Sequence, residues 1–357
     1  MSLKIGIVGL PNVGKSTLFN ALTRAGALAA NYPFATIEPN TGIVEVPDPR
    51  LKALAKIYGS TKLIPAVVSF VDIAGLVAGA SKGEGLGNKF LSHIRECDAI
   101  LQVVRDFRND DIQHVMNRVH PAEDIEIIRT ELILADLATL EKRIQSFKKE
   151  AKSNPKLKPL ADLYQLVFDS LSQGQVPELS DEQKLELRDL NLLSLKPTMY
   201  LFNVSEEDLN NDDTKLKLTE LAAPNPAVFV NAKLEEELSE LDDESSKELL
   251  QEYGQDQSGL IKVIDASYKL LGLQSYLTAG PKEVRAWTIK SGSTAPQAAG
   301  VIHTDFERGF IAAQIIDYTD LVAAGSESAA KAAGKIRTEG KTYIMQPDDV
   351  VEFRFNV

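Results

Sequence analysis

Gly9-Leu-Pro-Asn-Val-Gly14-Lys15-Ser16 is the first stretch whose residue types and spacing carry chemistry. It fits G-x-x-x-x-G-K-[ST]; a strand-like run precedes it at 5–8, and Thr17 opens a helical pattern after it. Glycines let backbone N–H groups turn inward around phosphate oxygens, and the helix N-terminus adds the positive end of its dipole. Asn12, Val13, Gly14, Lys15, Ser16 and Thr17 are therefore the candidate phosphate binders. Lys15 supplies charge for the β- and γ-phosphates of a nucleotide, and the Ser16 hydroxyl suits Mg²⁺.

A second element follows at Val71-Asp72-Ile73-Ala74-Gly75. An Asp at the carboxyl end of a strand suits a carboxylate behind Mg²⁺, and Gly75 offers a backbone amide to the γ-phosphate. Between the two lies Thr36, which a mobile loop could bring to Mg²⁺; a plain loop threonine fits the sequence equally well. From 75 to 87 there are five glycines, a density with little intrinsic order and the character of a nucleotide-sensing switch.

These residues need a scaffold to hold them. Short apolar, β-rich runs at 5–8, 67–71, 100–104, 199–202 and 227–230 alternate with helical patterns or loops, which reads as buried parallel strands with helical crossovers and an α/β class. Ile133, Leu137, Leu140, Ile144 and Phe147 form a heptad stripe. After the breaker Ser153-Asn154-Pro155, Leu160, Leu163, Val167 and Leu171 continue on helical spacing. The expected division is a P-loop nucleotide-binding domain over 1–130 and 197–279, a helical hairpin insert over 131–196, and a small α+β module over 280–357 with strands at both ends.

The 357 residues carry a net charge of −12 and one cysteine, Cys97. Internal disulfides are excluded, and a reducing compartment, the cytoplasm, is the expected location. No run is long and apolar enough for a bilayer, and the start lacks a secretory pattern. Charge is unevenly placed: 206–256 holds sixteen acids against four bases, whereas 142–158 holds seven bases and one acid. That basic cluster, near the tip of the hairpin, is either a solvated helical face or a contact with a polyanion.

With these motifs in place the chain resembles the TRAFAC-class P-loop GTPases. Those read guanine with N/T-K-x-D, a motif this sequence does not contain. After the strand-like run at 199–202 stands Asn203-Val204-Ser205-Glu206. Adenine has an acceptor at N1 and no 2-amino group, so a carboxylate aimed there would stay unsatisfied. A longer Glu without the preceding Lys can swing away, removing an interaction on the order of 2–3 kcal/mol. ATP is the expected nucleotide.

Together with GLPNVGKST, NYPFATIEPN and DIAGLVAGASKGEGLGNKFL, the N-x-x-E variant resembles the YchF subfamily of Obg-like ATPases over essentially the whole chain. The resemblance implies a G-domain with a helical hairpin insert, a C-terminal β-grasp-like TGS domain, ATP hydrolysis and association with the ribosome; a monomer is expected. It implies adenine contacts at Asn203 and Val204, with Glu206 beside them, and Thr36 as a Mg²⁺ ligand. Leu76 follows Gly75, so the group that orients water must come from elsewhere. The resemblance points to His114, which is otherwise a surface helix histidine, and related potassium-dependent GTPases suggest a K⁺ contact at Asn12. Contact with rRNA is expected at Lys148, Lys149 and Lys152. A GTPase with degenerate base recognition and a nucleotide-binding scaffold without meaningful turnover stay open as alternatives.

Overall fold

The computed structural model describes residues 3–25, 40–73, 86–109 and 118–356. The first sheet contains β1 (Lys4–Val8), β2 (Thr41–Glu45), β4 (Val67–Asp72), β5 (Ala99–Asp106), β6 (Thr198–Val204) and β7 (Ala227–Val230), in the order β2-β4-β1-β5-β6-β7. β3 (Leu63–Ile64), β8 (Leu273–Ala279), β9 (Val284–Lys290), β10 (Phe310–Asp317), β11 (Arg337–Glu339) and β12 (Asp349–Phe355) form the second, in the order β11-β10-β12-β8-β9-β3. The helices associated with the first sheet are α1 (Lys15–Ala25), α3 (Leu86–Arg95), α7 (Asp212–Ala222), α8 (Ala232–Leu238), α9 (Asp243–Glu252) and α10 (Gly259–Leu270), whereas α2 (Pro49–Tyr58) packs against β3, β8 and β9 of the second. The insert adds α4 (Pro121–Ser153), α5 (Lys158–Ser172) and α6 (Asp181–Leu187), and the C-terminal part α11 (Ala295–Ile302), α12 (Thr304–Arg308), α13 (Tyr318–Ala324) and α14 (Glu327–Ala332).

All five apolar runs lie within strands of the first sheet. β1, β4, β5, β6 and β7 are mutually parallel, and their near-continuous burial follows from helices on both faces. β2 is not among the five expected runs. It pairs antiparallel with β4 at the sheet edge, and its alternating Thr41-Gly42-Ile43-Val44-Glu45 buries one side only. The chain steps one way from β1 to β4 and β2, then the other way to β5, β6 and β7. A ligand crevice belongs at such a reversal, outside the carboxyl ends of β1 and β5.

α4 runs 33 residues and serves three apolar clusters, with Ile125 in the one around Phe202 and Val204. Ile128, Leu132 and Ala135 pack into the core shared with the sheets, while Ile133, Leu140, Ile144 and Phe147 meet Leu163, Tyr164, Val167 and Leu171 of α5. The helix thus starts ten residues before the expected insert boundary, with Pro121 at its first turn and His120 accepting from the Glu123 N–H. The buried Asp136 carboxylate fixes the returning chain, accepting from Leu193 N at 2.8 Å, Ser194 N at 2.7 Å and Ser194 Oγ at 2.6 Å.

The boundary expected at 279/280 is corrected. β8 lies in the second sheet, because Thr278 and Ala279 end β8 and Gly280 and Pro281 open the 280–283 turn of a β8–β9 hairpin, closed by Gly280 N to Glu283 O at 3.1 Å. β3, from between β2 and β4, also crosses into the second sheet and pairs parallel with β9. Arg50 strengthens this junction, bonding Asp48 on its own side and the Pro347 carbonyl and Asp348 carboxylate on the other. Among the described residues no helix is long and apolar enough to cross a membrane.

Candidate nucleotide-binding site

The carboxyl ends of the five parallel strands open into one cavity of about 1440 Å³. β1 delivers residues 9–14, β4 delivers Asp72, β5 delivers Asp106, β6 delivers Asn203 and Ser205, and β7 delivers Asn231. Asn12, Gly14, Lys15, Ser16 and Thr17 line one end of this cavity; Ser205, Glu206, Glu207, Asp208, Lys233 and Glu236 line the other.

The loop after β1 is held by its neighbours. Val13 is buried, which anchors the turn in the core. Asn12 has φ 64° and Gly14 φ 94°, both in the left-handed region, so the chain can wrap tightly before α1 begins at Lys15. A Cβ at Gly14 would sit 2.3 Å from Asn203 Nδ2. That amide nitrogen donates to the Val13 carbonyl at 3.0 Å, and Asn203 Oδ1 accepts from Ala232 N at 3.0 Å. Asn203, 3% exposed, therefore ties the loop to the N-terminus of α8. Arg105 braces the same loop from β5, donating to the carbonyls of Asn12, Phe107 and Asn109 with its guanidinium 4.3 Å from the Phe107 ring centre. Burial pushes its pKa below the ordinary arginine value, with the Asp124 charge opposing.

Lys15 and Asp72 form an ion pair on the cavity floor. The Ser16 hydroxyl and the Asp72 carboxylate are hard oxygen donors lining the same space, the chemistry Mg²⁺ takes alongside phosphate oxygens. No group of three or more His, Cys, Asp or Glu side chains converges among the described residues.

At the far end, Val204 has its side chain in the core and its carbonyl accepts from Asn231 Nδ2 at 2.8 Å. Asn231 Oδ1 in turn accepts from Leu234 N, capping α8. Asp208 accepts from Ser205 Oγ at 2.6 Å and Thr214 Oγ1 at 3.1 Å. Burial first, and the Asp208 charge second, raise the Asp106 pKa above the ordinary aspartate value. Glu206 is exposed and points to the Tyr253 hydroxyl, 3.5 Å away, where its charge is the main cause of a raised tyrosine pKa.

Of the sequence candidates, Asn12, Val13, Gly14, Lys15, Ser16, Thr17, Asp72, Asn203, Val204 and Glu206 stand at or directly behind this cavity. Thr36, Gly75, Leu76 and His114 lie outside the described residues, as do the side chains of Lys148, Lys149 and Lys152. Arg105, Asp106, Asp208, Asn231 and Tyr253 were not singled out in the sequence. Asn231 had a local signal, an Asn between a strand-like run and a helix; Arg105 had none.

Comparison with known proteins places this geometry. A family described as "50S ribosome-binding GTPase" matches residues 4–134, and the YchF-GTPase C-terminal family, described as "Protein of unknown function (DUF933)", matches 273–356. The chain is 55% identical to "Ribosome-binding ATPase YchF" of Pasteurella multocida (strain Pm70) and 52% identical to the protein of that name from Bacillus subtilis (strain 168), with all of each chain covered. The solved structure of the Schizosaccharomyces pombe YchF GTPase superposes with a TM-score of 0.87 at 39% identity, covering 99% of this chain and 98% of that one. The names alternate between ATPase and GTPase, so the choice of base returns to the cavity itself.

Proposed function

The chain belongs to the YchF family of P-loop NTPases, and from that membership we propose that it is a ribosome-associated ATPase that prefers ATP to GTP and hydrolyses it with Mg²⁺. The observation that carries the base preference is the placement of Glu206. A carboxylate that reads guanine must face the ring's N1–H and 2-amino group, sheltered from water. Glu206 is exposed and turned toward Tyr253. The Ala232 N–H, a donor that could meet guanine O6, is already bonded to Asn203 Oδ1. Adenine makes neither demand.

In this reading the backbone of residues 12–17 wraps the phosphates and Lys15 places its ammonium against the β- and γ-phosphate oxygens. Ser16 and Asp72 would hold Mg²⁺, with Thr36 as a further ligand, and the ion would supply positive charge to the phosphates. The amide of Gly75 meets the γ-phosphate, and the glycine-rich segment that follows reads whether that phosphate is present. Arg105 and Asn203 keep the loop in register so that little reorganisation accompanies binding. His114 positions the attacking water, and Asn12 would hold K⁺, which would supply positive charge beside the phosphates.

Calorimetric titration of the full chain with non-hydrolysable ATP and GTP analogues tests the base choice, and tighter binding of the ATP analogue is expected. GTP binding as tight as ATP would end this reading of Glu206. Turnover with and without K⁺, for wild type, Lys15→Ala and His114→Ala, tests hydrolysis. Phosphate release unchanged in Lys15→Ala would exclude this cavity as its source.

A further inference from the structure

The Glu206 side chain has two directions open to it, and its backbone does not choose between them. Glu206 leads into the 3₁₀ turn Glu207–Asn210, which is fastened by Ser205 Oγ donating to the Asp208 carboxylate at 2.6 Å. The main chain at this end of the cavity is thereby fixed. The side chain is left with the cavity, which it lines, on one side and the Tyr253 hydroxyl on the other. Lys233 lines the same end and could draw a carboxylate inward, but its ammonium lies 3.7 Å from Glu237 instead.

Tyr253 is held so that its hydroxyl stays in place. Its ring packs against the apolar cluster that contains Phe202 and Val204, the β6 neighbours of Asn203. Its carbonyl accepts from Asn210 Nδ2 at 2.8 Å, which ties the C-terminal end of α9 to the turn that follows Glu206. Asn210 Oδ1 accepts in turn from Gln255 Nε2 at 2.7 Å, and Gln255 Oε1 accepts from Lys262 Nζ of α10 at 3.1 Å. Gly254, with φ 65°, supplies the left-handed residue that lets the chain turn between these anchors. With ring and carbonyl both secured, the phenol presents its hydroxyl to Glu206 Oε2, donating at 3.5 Å.

The surroundings make that one oxygen decisive. The charges of Glu237 and Glu252 also reach the Tyr253 hydroxyl, so Glu206 is drawn into a neighbourhood of like charge. Without the hydroxyl the repulsion would remain and the attraction would be gone, which drives the carboxylate back over the cavity. There it would accept from the N1–H and 2-amino group of guanine, and would oppose the N1 lone pair of adenine. We propose that Tyr253 is the positioning residue for base selection: by holding Glu206 away from the ring, it sets the preference for ATP over GTP. The proposal rests on the base preference proposed above and names the group that enforces it.

The test is calorimetric titration of the full chain with non-hydrolysable ATP and GTP analogues, for wild type, Tyr253→Phe, Glu206→Ala and the double variant. Tyr253→Phe keeps the ring in its cluster and removes only the oxygen. It is expected to narrow the ratio of the GTP-analogue to the ATP-analogue dissociation constant about fivefold, the net worth of one hydrogen bond, mainly through tighter GTP binding. Glu206→Ala alone keeps the wild-type ratio within about twofold, and adding Tyr253→Phe to it changes the ratio no further. A change of packing would shift both affinities together and leave the ratio where it was. A wild-type ratio in Tyr253→Phe therefore overturns the proposal and leaves the base preference standing. Equal narrowing with and without the Glu206 carboxylate also overturns it, because the tyrosine would then act by another route. Wild type that binds both analogues equally removes the base preference, and the proposal with it.

Discussion

Asn203 shows how one amide can serve a whole site. Its nitrogen holds the carbonyl of Val13, its oxygen holds the N–H of Ala232, and the absence of a Cβ at Gly14 makes room for it. Asn203→Ala would leave both backbone groups without a protein partner in a buried place, a loss of roughly 2–3 kcal/mol. The urea midpoint should fall accordingly, and nucleotide affinity should fall with it because the loop loses its brace. Asn203→Asp is expected to be worse, since it keeps the bond from Ala232 but sets a carboxylate against the Val13 carbonyl. A midpoint unchanged in Asn203→Ala would refute this account. The motif residues were legible because their spacing encodes a local loop. Arg105 and Tyr253 were not, because the contacts that tie them to the site, Arg105 to Asn12 and Tyr253 to Glu206, span 93 and 47 residues and no spacing rule connects them.

Among the elements, α8 and α10 are joined by a carboxylate that also makes a pH prediction. Glu235 on α8 is buried and accepts from Gly259 N at 2.7 Å and from Ser258 Oγ, at the start of α10. Burial raises its pKa above the ordinary glutamate value of 4.5, and the hydrogen bonds recover only part of the shift. The folded chain therefore keeps this proton over a window where the unfolded chain has released it. Stability falls as pH rises from about 4.5 to the raised value, and the full penalty persists above it. Glu235→Gln keeps an oxygen for the Gly259 N–H and removes the ionisation. Urea midpoints measured between pH 4 and 7 should decline less steeply in the variant; parallel slopes would refute the assignment. The heptad stripe of α4 was visible from Ile133 because it faces one partner. The helix's earlier turns were not, because Ile125 faces one other core and Ile128 and Leu132 a second, so the stripe changes direction there.

Across the whole molecule, the two sheets share one core. Ile5 of β1 and Val68 and Phe70 of β4, with Leu51 and Leu54 of α2, belong to the same apolar cluster as Leu277, Val284, Ala286 and Val350 of the second sheet and Leu321 of α13. Units joined this way should unfold together, so thermal melts followed by tryptophan fluorescence, from Trp287 in the second sheet, and by far-ultraviolet circular dichroism should coincide. Two separated transitions would show that the sheets are energetically independent. The expected boundary at 279/280 missed this union because a Gly-Pro pair reads equally as a linker and as a hairpin turn, and only the pairing of β8 with β9 distinguishes them.

The pairing of Leu63 with Val284 joins positions 221 residues apart. During synthesis the ribosome emits β3 and the apolar side of α2 long before their partners exist. A nascent chain thus travels most of its length with an open strand edge and an uncovered hydrophobic face, and the final quarter of the message closes both. Premature stops late in the gene should therefore yield polypeptides that chaperones retain and proteases clear, even though every nucleotide-binding motif has already been made.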